Sequence, residues 1–130
     1  MREIKFRGKY GNNPWLYGSL VTGNRNNNGI QERNSSAAIL VDDGSIGQYT
    51  GVKDSNGKEV YEGDIVRIGC EGFEKIYVVV FDDSELDYKA TNGKEEYGRE
   101  FEYLKCCDKI EVIGNRWDNP DLLGGEHDEH

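Results

Sequence analysis

The chain has 130 residues, of which 35% are hydrophobic and 32% charged, and its formal net charge at pH 7 is −9. A chain of this length forms one domain, or two small lobes that share a core, and so much charge leaves only a small core. No apolar run approaches the ~20 residues that span a bilayer, and Met1–Ile4 begins a strand pattern rather than a signal peptide, so we expect a soluble, cytoplasmic protein without a membrane partner.

The charge is divided unevenly along the chain. Residues 1–36 hold six basic and two acidic residues, a balance of +4, whereas the remaining 94 residues hold ten basic and twenty-three acidic ones, a balance of −13. An acidic body repels a phosphate backbone. Binding to nucleic acid is therefore disfavoured unless the basic front acts alone.

The first part of the chain predicts strands followed by a long polar loop. Ile4 and Phe6 alternate with charged residues, which is typical of a half-buried strand, and Trp15–Val21 predicts the second strand of a hairpin. Thr22–Ser36 has one apolar residue in fifteen, too few to offset the entropy of ordering the segment. We expect a mobile loop there, which is a surface insertion or, alternatively, a functional flap.

The middle of the chain predicts a covered strand and a hairpin. Ala37–Val41 is a near-continuous apolar run, as in a strand covered on both faces, and Asp42–Ser45 predicts the turn after it. Asn56-Gly57 favours a type I′ turn, because both residues tolerate the positive φ that this turn needs. Glu62-Gly63-Asp64 predicts a second turn, from which a strand at Ile65–Ile68 starts.

The last part of the chain predicts several short strands. Lys75–Phe81 has the strongest β-propensity and is expected to be a central strand. An Asn92-Gly93 hairpin of type I′ and a 3₁₀ turn at Leu104–Asp108 precede a last strand at Ile110–Ile113. This order of elements is typical of SH3-like small barrels, although such an analogy carries no function.

The predicted fold class is all-β, in a single domain. An N-terminal β region over residues 1–57, with the mobile loop at residues 22–36, is expected to pack on an SH3-like small β-barrel over residues 58–114. Residues 115–130 are expected to form one short C-terminal helical turn and a frayed tail. Asn119 predicts the cap of that turn and Pro120 its first helical position.

Three separated segments resemble one known family. The longest reads Gly47-Gln48-Tyr49-Thr50-Gly51, followed by Asp54, Asn56-Gly57-Lys58 and Tyr61-Glu62-Gly63-Asp64-Ile65-Val66. The others are Met1–Arg7 at the start and Glu111–Asn115, Asn119-Pro120 and Leu122-Leu123 at the end. Together they resemble the YopX-like proteins of tailed phages and prophages. The resemblance implies a β-rich phage or prophage protein, and it brings no established activity and no catalytic residue.

Four residues are candidates for a binding surface. Gln48, Tyr49 and Thr50 lie between two glycines, where a backbone can approach a ligand closely. Tyr61 is the fourth, as one of several aromatic residues that can floor a binding face. In the alternative interpretation these residues are structural: Tyr49 packs in the core, while Gln48 and Thr50 stabilise a bend.

The acidic segment around the Asn56-Gly57 turn does not predict a metal site. Its oxygen ligands lie close together in the sequence, at Asp54, Asn56, Glu59, Glu62 and Asp64. In a calcium loop that begins at Asp54, however, the fifth position is Lys58 and the twelfth is Ile65, and neither can bind the ion. The turn itself already explains the local composition.

The cysteines and histidines predict neither a zinc site nor a catalytic site. Cys106 and Cys107 are adjacent and lack the usual spacing of zinc ligands, so we expect them to be small buried hydrophobes. His127 and His130 both lie in the tail, which leaves any nucleophile without a positioned base. We therefore expect no metal, no cofactor and no enzymatic activity.

These observations favour a non-enzymatic module that binds a host or phage protein in the cytoplasm of a bacterial host. The alternative is a nucleic-acid-binding accessory or regulatory protein that uses the basic N-terminal segment, which a steep salt dependence of binding would reveal. An enzyme and a structural assembly subunit are less favoured. The charge division and the β-strand edges also favour a homo-oligomer with its interface in the strands of Ile4–Val21.

Overall fold

The computed structural model describes residues 4–24, 27–70, 73–91, 101–104 and 109–124, with the backbone alone at positions 70, 73, 101, 123 and 124. These residues form two antiparallel sheets, which confirms the all-β prediction. Within the described ranges, no helix combines the length and the apolar character that crossing a membrane requires.

Eleven strands make up the two sheets of the described chain. The first six are β1 (Phe6–Gly8), β2 (Leu16–Val21), β3 (Gly29–Glu32), β4 (Ile39–Leu40), β5 (Gly47–Lys53) and β6 (Glu59–Tyr61). They form one sheet in the order β4-β3-β2-β1-β5-β6. The next five are β7 (Asp64–Cys70), β8 (Phe73–Asp82), β9 (Asp87–Thr91), β10 (Phe101–Tyr103) and β11 (Ile110–Asn115). They form the second sheet in the order β10-β9-β8-β7-β11.

The chain divides into two compact units. The N-terminal unit is Met1–Gly51 and the C-terminal unit is Val52–His130. The sequence prediction divided its N-terminal region from its barrel after residue 57, so the structural division comes earlier in the chain, within β5.

The loop predicted over Thr22–Ser36 contains a strand. β3 pairs with β2 on one side and with β4 on the other, so that Ile30 lies opposite Leu20 and Ile39. Ile30 is the single apolar residue of the stretch, and its side chain has 0% exposure. Pairing on both sides stabilises a segment whose own composition is too polar to order itself. The loop prediction is therefore wrong for residues 29–32.

The strand predicted over Ala37–Val41 is shorter and more exposed than expected. Only Ile39 and Leu40 are in β4, and 53% and 47% of their respective surfaces are exposed. Val41, which follows β4, is buried. Because successive residues of a strand face opposite sides and both residues of β4 are about half exposed, the prediction of a strand covered on both faces is wrong.

The core of the C-terminal unit lies mainly on the second sheet, with Val60 of β6 added from the first. β8 lies between β7 and β9, which confirms the prediction of a central strand for Lys75–Phe81. The buried cluster consists of Val60, Val66, Ile68, Tyr77, Val79, Tyr88, Ala90, Leu104 and Ile110. Branched and aromatic side chains fit this pleated, covered surface, and for that reason the strand was recognisable from sequence.

Within the described residues the second sheet is open, so the SH3-like barrel predicted over residues 58–114 is not closed. β10 and β11 are its two ends, and no pairing joins them within the described residues. β6, which was assigned to the barrel, belongs to the first sheet. The predicted Asn92-Gly93 hairpin and the pair Cys106 and Cys107 lie outside the described residues.

The turn between β5 and β6 differs from the predicted type. The Gly57 N–H donates to the Asp54 carbonyl oxygen over 2.9 Å, and Gly57 has a φ of 86°. Among the described non-glycine residues only Asn34 and Leu86 have positive φ, so Asn56 is not left-handed. A type I′ turn needs positive φ at both central residues. The I′ assignment is therefore wrong, although Gly57 does need the freedom of glycine.

The turn between β6 and β7 depends on a second glycine. Gly63 has a φ of 94°, which side chains rarely adopt, and a methyl group added to it would overlap the ring of Trp117. The Gly63 N–H donates to the Val79 carbonyl oxygen, and its own carbonyl oxygen accepts from the Arg116 N–H. The indole ring of Trp117 thus packs on the backbone of Gly63, whose N–H and carbonyl groups are both hydrogen-bonded.

The predicted C-terminal helical turn is present as α1 (Asp121–Gly124). Asn119 was predicted to cap this turn, but its Oδ1 accepts a hydrogen bond from the Asn115 N–H over 3.2 Å. The Asn119 carbonyl oxygen accepts from the Leu122 N–H. The Asn119 side chain therefore stabilises the end of β11, and its backbone contacts the helical turn.

Candidate functional site

Three of the four residues predicted to form a binding surface are buried. Tyr49 is 6% exposed, Thr50 5% and Tyr61 2%, while Gln48 is half-buried. Burial favours the structural interpretation for these three residues, and Gln48 is the one of the four whose side chain stays partly accessible.

The two tyrosines stabilise the structure locally. The Tyr49 N–H donates to the Lys5 carbonyl oxygen, and the Lys5 ammonium lies 5.6 Å from the centre of the Tyr49 ring. The Tyr61 hydroxyl donates to Glu59, and the Tyr61 N–H donates to the buried Asp64 carboxylate over 2.7 Å. Gly51, which follows Thr50, has a φ of 89° and supplies a bend rather than access for a ligand.

Asp54 and Asp64, two of the residues considered as calcium ligands, accept hydrogen bonds from the backbone. Asp54 Oδ1 accepts from the N–H groups of Asn56 and Lys58, and its Oδ2 accepts from Val112. Throughout the described ranges, no three His, Cys, Asp or Glu side chains are grouped as ligands for a metal ion. His127 and His130 lie outside those ranges.

A charged cluster lies at the hairpin between β8 and β9. Lys89 Nζ is 2.7 Å from Asp82 Oδ2 and 3.3 Å from Glu85 Oε1. The hydrogen bond from Lys89 lowers the pKa of Asp82, with help from Ser84, and the same bond raises the pKa of Lys89. Lys89 therefore stays protonated at neutral pH, and Asp82 becomes a weaker base.

The Tyr103 hydroxyl completes this cluster. It donates to Glu85 Oε1, which lowers the pKa of Glu85 and raises the pKa of Tyr103. The Lys89 ammonium also lies 5.3 Å from the centre of the Tyr103 ring. Every shift in the cluster favours the protonation state that each group already has at neutral pH, so the arrangement stabilises the hairpin and provides neither a nucleophile nor a general base.

A small groove of the C-terminal unit, with a volume of about 270 Å³, lies beside β7 and β11. Arg67 lines it and forms an ion pair with Glu111 over 2.9 Å, and Glu74 lies 3.9 Å away. The guanidinium is thus already matched by carboxylates of the same chain. Such a groove offers little uncompensated charge to a ligand.

The N-terminal unit carries most of the exposed apolar surface. Eight large apolar side chains of the described residues are exposed, and six of them belong to this unit: Ile4, Tyr10, Tyr17, Val21, Ile39 and Leu40. The other two are Phe81 and Leu86. Concentrated exposed apolar surface is typical of interaction sites.

Three adjacent strands present part of this surface on one side. Along β2, Tyr17, Ser19 and Val21 are exposed while the residues between them are half-buried. Ser19 pairs with Gln31, and Val21 pairs with Gly29, which in turn pairs with Leu40. Because paired residues lie on the same side of a sheet, these side chains share one side, which we call the outer face: Tyr17, Ser19, Val21, Gln31 and Leu40.

A groove of about 590 Å³ lies at the Tyr17 end of the outer face. Tyr17, Ser19 and Gln31 line it together with three charged residues, Lys5, Glu32 and Arg33. The lining of the groove thus has one more positive than negative side chain and one large aromatic ring. Tyrosine and arginine are enriched in protein interfaces.

The outer face is not among the sites predicted from sequence, which centred on the glycine-bounded Tyr49. The signal that could have found it is the period-two alternation of Tyr17, Ser19 and Val21 with Leu16, Gly18 and Leu20 in β2. That pattern indicates which side chains point outward. The β3 part of the face had no such signal, because its polar sequence predicted a loop.

The chain belongs to the YopX protein family, whose model matches residues 5–124. The match covers nearly the whole chain and confirms the resemblance carried by the three sequence segments. No curated protein matches the chain.

Proposed function

We propose that this member of the YopX family is a non-enzymatic protein-binding module of phage or prophage origin. It acts on a host or phage protein in the cytoplasm of a bacterial host. The outer face and the adjoining groove of the N-terminal unit supply the contact. The supporting observation is that six of the eight exposed large apolar side chains of the described residues lie in this unit.

The composition of the groove fits a protein partner. Tyr17 supplies a ring that is 41% exposed, and Lys5 and Arg33 supply charge at the rim. Interfaces typically combine a few aromatic anchors with a polar rim. A partner segment with an apolar side chain beside a carboxylate would match this arrangement.

A capture experiment with a matched control tests the proposal. The wild-type chain, Tyr17→Glu and Tyr10→Glu are used as baits in a nuclease-treated bacterial lysate. Tyr10 is 51% exposed but lies outside the outer face and the groove, so it controls for the loss of any surface tyrosine. We expect a protein that is retained by the wild type and by Tyr10→Glu and lost with Tyr17→Glu, while circular dichroism stays unchanged. Equal retention by all three baits would contradict the proposal.

Nucleic-acid binding is the second candidate, because β1 and the residues beside it carry a row of cations. The Arg7 guanidinium lies 4.7 Å and the Lys9 ammonium 5.2 Å from the centre of the Trp15 ring, and Lys5 lies over Tyr49. Combined cations and aromatic rings are typical of single-strand binding sites. Here, however, the cations contact rings of their own chain, and Arg7 is only 4% exposed.

The salt dependence of binding separates the two candidates. A chain that neutralises about six phosphates loses about a thousandfold in affinity between about 50 and 200 mM salt. Such a loss with a single-stranded oligonucleotide would favour the nucleic-acid function. Capture that survives nuclease and responds weakly to salt favours the protein-binding module.

A further inference from the structure

β4, one of the two end strands of the first sheet, differs from the other end strands in having no charged side chain. The strands at the remaining ends, β6, β10 and β11, contain Glu59, Glu102 and Glu111 respectively. β4 contains only Ile39 and Leu40, and the whole stretch from residue 34 to residue 41 has no charged side chain. Charged side chains on edge strands prevent pairing with other chains. β4 lacks this protection although a third of the chain is charged.

The backbone of β4 has hydrogen-bonding groups that face outward. The Val41 N–H donates to the Asn28 carbonyl oxygen over 3.0 Å, and Ile39 pairs with Ile30. In an antiparallel ladder, the N–H and C=O groups of successive residues point to alternate sides of the strand. Those of Leu40 therefore point away from β3, and its side chain is 47% exposed beside them.

We propose that two copies of this chain associate through antiparallel pairing of their β4 strands. The arrangement joins two first sheets across a twofold axis. With Ile39 opposite Ile39 of the second copy, Leu40 lies opposite Ala38, so that a large side chain packs beside a small one. Asp42 then lies opposite Ser36 of the second copy, and the acidic residues that follow β4 do not face each other.

The charge division favours this location for a contact between copies. Residues 1–51 hold six basic and four acidic residues, a balance of +2, whereas residues 52–130 hold ten and twenty-one, a balance of −11. Pairing through β4 uses the unit that is not acidic. Because two short strands bury much less than a standard interface, we expect weak association, with a dissociation constant on the order of 0.1 mM.

The structure also changes the interface expected from sequence. The strands of Ile4–Val21, β1 and β2, both lie inside the first sheet, with paired neighbours on each side. They have no edge to offer for backbone pairing, so an interface in the strands of Ile4–Val21 would have to use their side chains and stays a prediction. Among the described strands, β4 is the one of the N-terminal unit that ends its sheet.

A proline substitution tests backbone pairing directly. Leu40→Pro removes the outward N–H and leaves the inner hydrogen bonds of β3 and β4 intact, and edge strands tolerate proline at such positions. Leu40→Val keeps the N–H and serves as the control. The measurement is sedimentation at about 150 mM salt, where long-range charge effects are screened. We expect the wild type and Leu40→Val to dimerise as their concentration rises. Leu40→Pro should associate at least about tenfold more weakly.

Two results would overturn the proposal. The first is a wild-type chain that remains a monomer at about 0.5 mM, where a dissociation constant near 1 mM already gives substantial dimer. The second is a Leu40→Pro variant that folds and dimerises as the wild type does. If Leu40→Pro fails to fold, Leu40→Lys replaces it, since a charge on this edge should also prevent pairing. Tyr17→Glu should dimerise normally, so failure of this proposal is distinguishable from failure of the protein-binding function.

Discussion

Two hairpin turns of the C-terminal unit are each organised by an aspartate, yet the two aspartates stabilise different things. Asp54 Oδ1 accepts from the N–H groups of Asn56 and Lys58 over 2.9 and 2.8 Å. Asp82 Oδ1 accepts from the Ser84 N–H over 2.9 Å and from the Ser84 hydroxyl over 2.7 Å. At the level of local turn chemistry the two residues are equivalent.

The difference lies in the second carboxylate oxygen. Asp54 Oδ2 accepts from the N–H of Val112 in β11, 58 residues away, whereas Asp82 Oδ2 accepts from Lys89, seven residues away. Asp54 thus joins a turn to a distant strand, while Asp82 stabilises its own hairpin. A turn aspartate thus contributes to the stability of the whole unit when its second carboxylate oxygen accepts a hydrogen bond from a distant backbone N–H.

The largest expected effect comes from Asp54→Ala. Three backbone N–H groups, including that of Val112, would lose their acceptor, and we expect the free energy of unfolding to fall by about 3 kcal/mol. Asp82→Ala should cost less, because its partners are local and Glu85, 3.3 Å from the Lys89 ammonium, remains as a second carboxylate for that lysine. Urea denaturation of both variants measures the difference. Equal losses would contradict the distinction drawn between the two turns.

Gly57→Val should give the next largest effect. Gly57 has a φ of 86° and no neighbouring atom within 4 Å of an added Cβ, so the cost is backbone strain without a clash. We expect a loss of about 1–2 kcal/mol. Gly57→Asn is the control, because asparagine tolerates a left-handed backbone better and should lose less. A neutral Gly57→Val in thermal denaturation would mean that the turn relaxes to another conformation.

The turn at Asp82, between β8 and β9, has the opposite feature. A leucine occupies a position whose backbone conformation would cost glycine less energy. Leu86 has a φ of 55° and is 76% exposed, so its side chain contributes little packing to offset the strain. We expect Leu86→Gly to raise the free energy of unfolding by up to about 1 kcal/mol. A loss of stability, measured under the same denaturant conditions, would show that the leucine makes a stabilising contact.

The smallest expected effect is on the pH dependence of stability, where the two aspartates should behave alike in acid and differ in alkali. Burial alone would raise the pKa of Asp54, but hydrogen bonds from the backbone of Val112, Lys58 and Asn56 outweigh it, and the pKa is lowered from 3.8. The pKa of Asp82 is lowered by Lys89 and Ser84. Both carboxylates therefore contribute stability above a pH of about 4, which is lost as the pH falls through their folded pKa values.

At high pH only the Asp82 turn should respond. The pKa of Lys89 is raised from 10.5, chiefly by Asp82, so the pair contributes stability below that pH and loses it as the pH rises through the folded pKa. We expect the melting temperature of Asp82→Asn to approach that of the wild type in strong alkali. The deficit of Asp54→Asn should persist there. Parallel alkaline profiles for the two variants would contradict this assignment.

The parts of the fold that were predictable from sequence depend on local signals. Lys75–Phe81 could be recognised as a central strand because consecutive branched and aromatic side chains suit a covered sheet. The need for glycine at Gly57 was also readable. β3 was missed because pairing with neighbours, which no local composition reports, stabilises it. Whether the barrel closes could not be predicted, since the order of strands does not determine whether the two end strands meet.

The candidate site likewise has residues that the sequence could have identified and residues whose burial it could not predict. Tyr17, Ser19 and Val21 alternate with less exposed residues and could have been assigned to an outward side. For Tyr49 and Thr50 the sequence left two interpretations open, because glycines on either side of them are compatible with both a ligand approach and a bend. Their burial depends on tertiary packing that the motif does not encode.

Each unit contains one of the two tryptophans, so the unfolding of each unit can be followed by the fluorescence of its own tryptophan. Trp15 lies beneath Arg7 and Lys9 in the N-terminal unit, and Trp117 covers Gly63 in the C-terminal unit. The chain has no other tryptophan. Replacing either one by phenylalanine therefore leaves an intrinsic fluorophore in a single unit of the intact chain. Superimposable emission curves from the two single-tryptophan proteins would show that both units unfold in one cooperative transition, and separate curves would resolve the stability of each.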